Sequence, residues 1–133
     1  MTPCGTTPLV KKLGIKAGCR LLLVHEPEGL RAKLIDLPAE VVEPRSDEAF
    51  DVAVLFVTEA KVMRKDFPKL KKRLDKAGGL WIAYPKKASG VATDLSEASV
   101  RNFGLDAGLV DNKICAIDEV WSGFRFVYRL KDR

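Results

Sequence analysis

Three short apolar runs most constrain what this chain can fold into: Cys19 to Val24 (broken only by Arg20), Val52 to Val57 and Leu80 to Tyr84. A strand covered on both faces reads as a near-continuous run, because neither side of its pleat meets water. Helix-like segments separate the runs, and such alternation predicts a mainly parallel sheet with right-handed crossovers. Along Phe124, Phe126, Tyr128 and Leu130 the pattern changes to strict alternation with Arg125, Val127 and Arg129. That period of two marks a half-exposed last strand.

Local signals divide the rest. Thr7 and Pro8 suit the first turn of a short helix that Gly14 can end. Pro27 opens a predicted helix to about Ile35, and Glu40 to Glu43 reads as a short second strand stopped by Pro44. Met63, Phe67, Leu70, Leu74 and Ala77 form one apolar stripe, so residues 59–77 read as helical, with Pro68 interrupting or restarting the helix. Gly78 and Gly79 end it. Asp94 and Glu97 fit a capping box for a helix reaching Gly104 or Gly108. Lys113 to Asp118 is a fifth strand, and Ser122-Gly123 is the turn into the sixth. The expected fold class is α/β: a single domain over residues 1–133, about six strands, helices on both faces, an antiparallel C-terminal hairpin, and residues 1–7 as a flexible tail.

The net charge of +5 is a property of one segment. Residues 61–76 carry Lys61, Arg64, Lys65, Lys69, Lys71, Lys72, Arg73 and Lys76 against Asp66 and Asp75, and the remainder of the chain is near neutral. Such a stripe reads first as a solvated helix face. It lacks a recognition motif, so nucleic acid is not an expected partner. Cys4, Cys19 and Cys115 make no metal-ligand spacing and no disulfide framework. Cys19 and Cys115 read as buried thiols, metal binding is not expected, and the reduced thiols suit a cytoplasmic location. The longest apolar run is too short for a membrane span, and residues 1–7 show no signal peptide.

Four passages together resemble the class I methyltransferase form of the Rossmann fold. They are Ile15 to Leu22, Phe50 to Ala53, Leu74 to Ile82 with its Gly78-Gly79, and the terminal hairpin. The passages Tyr84 to Asp94 and Asp118 to Gly123 are similar to those of a family of short bacterial proteins described only as a domain of unknown function. The methyltransferase resemblance implies an acid-x-Gly-x-Gly turn after the first strand, where this chain has His25-Glu26-Pro27-Glu28. It also implies a ribose-binding carboxylate at Glu43. The segment between Glu43 and Asp51 is too short for the extra helix and strand usual there. From the loop alone no cofactor is expected, and S-adenosylmethionine is disfavoured, because Glu26 and Glu28 replace bare backbone N–H groups.

Ligands of open α/β sheets sit beyond the carboxyl ends of the strands. That rule nominates Lys86, Lys87, Ser89 and Thr93 as cations and hydroxyls for an anion, with a plain surface loop as the competing reading. It also nominates Asp118, Glu119, Trp121, Ser122 and, from the last strand, Arg125; here the competing reading is a hairpin turn with Trp121 packed on the sheet end. His25, the single histidine, has no partnered nucleophile in the pattern. No catalytic constellation is complete, so the enzyme reading is not favoured. The leading expectation is a binding or accessory protein for a small anionic ligand or a protein partner, with self-association open. The alternative is a divergent small transferase using a nucleoside-type cofactor.

Overall fold

A computed structural model describes residues 8–133. Cys4, the Thr7 cap and the expected tail lie outside the described residues. Gly14 (φ 76°) closes α1 (Leu9–Leu13) by donating to the carbonyls of Lys11 and Val10, a left-handed termination that glycine adopts without strain. The strands are β1 (Leu21–Val24), β2 (Phe50–Phe56), β3 (Leu74–Pro85), β4 (Leu109–Ala116) and β5 (Trp121–Tyr128), and the longer helices are α2 (Ala60–Lys71) and α3 (Glu97–Asp106).

Among the described residues the sheet has five strands in the order β1-β2-β3-β5-β4, fewer than the six expected. The missing one is the stretch Glu40 to Glu43, which makes only an isolated parallel bridge, Val42 to Arg20. β1, β2 and β3 are parallel, and β5 is antiparallel to both β3 and β4. The sheet is therefore mixed, with a parallel core and the antiparallel hairpin that the methyltransferase resemblance implies. The N–H of Leu21 donates to Val42, whereas the carbonyl of Arg20 accepts from Asp51 and Val52. The chain thus leaves β1 on one side and returns on the other. That reversal places the topological switch point at the carboxyl end of β1 and β2.

Both faces are covered. On one face, Leu9, Val10 and Leu13 of α1 pack with Leu30 and Leu34 over Leu23, Val54 and Trp81. On the other, Met63, Phe67 and Leu70 of α2 and Val100 of α3 pack over Leu55, Ile82 and Phe126. Alternate residues of β2 and β3 feed the two layers, which is why their sequences are apolar throughout. Cys19 and Cys115 are buried, as expected.

Four local expectations are corrected. Pro27 to Ile35 forms only a 3-10 turn, Arg31–Lys33, because Gly29 (φ 83°) and Asp36 (φ 61°) break any longer helix. Pro68 lies inside α2 without ending it: in the last turn a proline forfeits one hydrogen bond. α2 stops at Lys71, so Leu74, Ala77, Gly78 and Gly79 belong to β3. Ser122 and Gly123 lie in β5, and the hairpin turn is residues 117–120. No described helix is long and apolar enough to cross a membrane.

Candidate functional site

The antiparallel pairing of β3 with β5 sets Tyr84 opposite Ser122 and Pro85 opposite Trp121. The loop after β3 and the start of β5 therefore meet on one rim, as expected. A cleft of about 680 Å³ opens there, lined by Tyr84, Lys86, Lys87, Thr93, Glu97 and Ser122, with Val91 and Leu95 among its apolar walls. This volume lies in the range of small-molecule sites. Tyr84 stacks on Phe124 at 6.1 Å between ring centroids and forms part of the core. Burial pushes its phenol above the ordinary value; a hydrogen bond with Ser122 opposes that shift and the charge of Glu97 adds to it.

The loop is fastened to its neighbour. The Thr93 hydroxyl donates to the carbonyl of Thr58 (2.6 Å) and accepts from the N–H of Leu95 (3.1 Å). The carboxylate of Asp94 accepts from the N–H of Ala60 at 2.8 Å. Asp94 thus caps α2 from a distant loop, and the expected capping box with Glu97 is not formed. Ser96 and Ser99 make the box on α3 instead. Ser89 does not line the cleft; its hydroxyl donates to the carbonyl of Lys86 at 2.7 Å and shapes the loop.

Asp118 and Glu119 lie apart from this cleft, in a recess on the α1 face with Leu9, Lys12, Lys33 and Lys86. Lys33 reaches Asp118 at 2.9 Å and Glu119 at 3.8 Å. Burial alone would raise the Asp118 carboxyl. The Lys33 hydrogen bond and the N–H groups of Trp121 and Val120 outweigh it and hold the group below the usual carboxylate range. Asp118 is therefore the clasp of the hairpin turn. Trp121 packs edge-on against Phe56, with ring centroids 5.2 Å apart. Arg125 pairs with Trp81, not with the strand end. Four residues along a strand from Trp121 is roughly 13 Å, so its position on β5 removes it from the rim. Lys12 escaped the sequence reading: it is 6% exposed and donates to the carbonyl of Ala116. The signal was its place in the inward stripe Leu9, Lys12, Leu13.

At the switch point, His25 takes φ 56°, so the chain turns sharply after β1 without a glycine there. Its Nε2 meets Asp66 of α2 at 2.8 Å. Among the described residues, the N–H groups of Glu26, Glu28 and Gly29 make no hydrogen bond. One carboxylate oxygen of Glu26 is buried without a hydrogen bond, although Arg31 forms an ion pair with it at 2.9 Å whose direction is wrong for one. Arg31 also approaches Glu43 at 3.8 Å, and the Glu43 side chain remains 64% exposed. Free N–H groups, a buried carboxylate oxygen without a hydrogen bond and an exposed carboxylate fit the polar groups of a nucleoside cofactor. Among the described residues no cluster of three His, Cys, Asp or Glu could hold a metal ion.

No family model matches the chain, and no curated protein matches it. Two similar solved structures are described as "The structure of LepI complex with SAM" and "A Pericyclic Reaction enzyme". The first is 14% identical with a TM-score of 0.49 and covers 97% of this chain and 48% of its own. The second is 14% identical with a TM-score of 0.46 and covers 97% and 49%. The chain thus spans about half the length of these two structures. The expectation of no cofactor, with S-adenosylmethionine disfavoured, is corrected, since the first of them is a complex with SAM. His25 makes the turn after β1 at positive φ and the N–H groups of Glu26 and Glu28 are free of hydrogen bonds among the described residues, so neither the missing glycine nor the two acids speak against a cofactor there.

Proposed function

We propose that this chain is a divergent small transferase that binds a nucleoside-type cofactor at the carboxyl end of β1 and a second, anionic molecule in the adjoining cleft. The observation that carries the reading is the buried oxygen of Glu26, which has the Arg31 ion pair but no hydrogen bond, beside the left-handed turn at His25. A buried acceptor with a cation beside it but no hydrogen bond still has room for a well-directed donor. Glu43 would accept from ribose hydroxyls, Glu26 from an amino group, and the cofactor would supply the transferable group. Thr93 and Asp94, which tie the cleft loop to the start of α2, would hold the second molecule's site in register with the first. S-Adenosylmethionine, as in the SAM complex of the LepI structure, is the first compound to test.

At a hundred times its dissociation constant such a ligand stabilises the native state by about 2.7 kcal/mol. Thermal unfolding with S-adenosylmethionine, nucleotides and dinucleotides should show one saturable rise that Glu43→Ala and Glu26→Gln reduce. A panel that leaves the melting temperature unchanged overturns the proposal. The cleft by itself favours a second reading, a binding protein for a small anionic ligand held by Lys86, Lys87 and Ser122. In that case small carboxylates shift the melting temperature, Lys86→Ala abolishes the shift, and nucleosides have no effect.

A further inference from the structure

The opposite edge of the sheet, where β1, β2 and β3 begin, carries a second polar recess of about 360 Å³. The loop Gly14 to Cys19, the residues Asp51 and Gly78, and the Arg125 side chain from β5 line it. Arg125 is half-buried, yet its guanidinium has no hydrogen bond and no ion pair among the described residues. A guanidinium partly removed from water is ordinarily matched by an anion. The carboxylate that lines the recess is already committed: both oxygens of Asp51 are taken by the guanidinium of Arg20 at 3.0 Å, and one of them also accepts the Arg20 N–H at 2.8 Å. Asp75 also pairs with Arg20, at 3.5 Å.

The backbone makes room for this unmatched cation. A Cβ at Gly79 would lie 2.6 Å from Cζ of Arg125, so the guanidinium can rest on the sheet only because residue 79 has no side chain. The facing loop adds donors: the N–H groups of Lys16 and Ala17 make no hydrogen bond among the described residues. Lys16 adds a second unpaired cation on the wall of the recess. Burial, then the charge of Arg133, pushes the Arg125 guanidinium below its ordinary value.

We propose that this recess binds the oxyanion of a small molecule, a carboxylate or a phosphate group, through the two-pronged donor edge of Arg125, with Lys16 and the free N–H groups of the loop closing on it. A guanidinium presents paired donors that match both oxyanions, whereas a lysine offers a point charge. The site is independent of the rim described above and lies at the other end of the strands.

The test is a titration of the isotope-labelled protein with inorganic phosphate and, separately, succinate, at constant ionic strength set with chloride. The amide signals of Lys16, Ala17, Gly78 and Gly79 should shift saturably with at least one of the two anions, and the responding anion identifies the ligand's group. Arg125→Lys, which preserves charge and bulk, should weaken binding at least tenfold; Arg125→Gln should remove it. Lys86→Ala, at the opposite edge, should leave the titration unchanged. The proposal is overturned if neither anion shifts these signals in the wild-type protein. It is also overturned if Arg125→Lys binds as tightly as the wild type.

Discussion

Gly104 lies in α3 with its Cα against the ring edge of Phe126. In an exposed helix, alanine in place of glycine stabilises by about 1 kcal/mol. Here the added Cβ would collide with ring atoms of Phe126, which is fully buried and wedged against Phe67 and Phe124. Overpacking of that kind costs about 1–3 kcal/mol, which exceeds the propensity gain. Gly104→Ala should therefore lower the urea midpoint, and the pair Gly104→Ala with Phe126→Leu should recover part of the loss. A rise in the midpoint for the single variant would show that α3 can shift away from the sheet. The sequence marked Gly104 only as one of two ends for the helix. Close approach between a helix and a ring depends on two positions 22 residues apart, which local pattern does not relate.

At the scale of elements, capping shows most clearly what local pattern misses. Asp94 supplies the acceptor of an N-cap, but the helix it serves is α2, through the N–H of Ala60. Its removal should cost about 1 kcal/mol, as for other caps, and should also free the cleft loop. Asp94→Ala is expected to speed amide hydrogen exchange in residues 60–63 and 87–95 while leaving residues 100–106 protected. Ser96→Ala, which uncaps α3, should reverse that pattern. Equal loosening of both helices in either variant would contradict the assignment. The buried strands were legible because apolar runs report burial directly, and the end of α1 because Gly14 has few alternatives at φ 76°. The segment Pro27 to Glu43 was not legible. Leu30 and Leu34 do reach the core, but Gly29, Asp36 and Glu40 at positive φ turn the chain between them, and only tertiary packing selects those conformations.

At the scale of the molecule, ionic clasps such as Arg20 with Asp51 and Lys33 with Asp118 join parts of the chain distant in sequence, the latter pair 85 positions apart. The rim was legible because an antiparallel last strand must bring its start to the end of its neighbour. Arg125 was misplaced because the same geometry carries later residues away from that edge. The Arg20 hydrogen bond and charge lower the Asp51 carboxyl against a smaller opposing effect of burial. Asp118 is lowered as well, its contacts overcoming burial. Both groups therefore bind protons more weakly in the folded than in the unfolded chain. Their stabilisation is present above the ordinary carboxyl pKa of about 4 and is lost as pH falls through the lower folded values. Both clasps are partly solvated, so each is expected to contribute only about 1 kcal/mol. The urea midpoint of the wild-type protein should fall below pH 4. Asp51→Asn and Asp118→Asn should each be less stable than the wild type at pH 7, and the gap should narrow in strong acid, where the wild-type carboxylates are protonated too. A gap of the same size at both pH values would mean that these side chains act by shape and neutral hydrogen bonding, and that the two halves of the sheet are not held by charge.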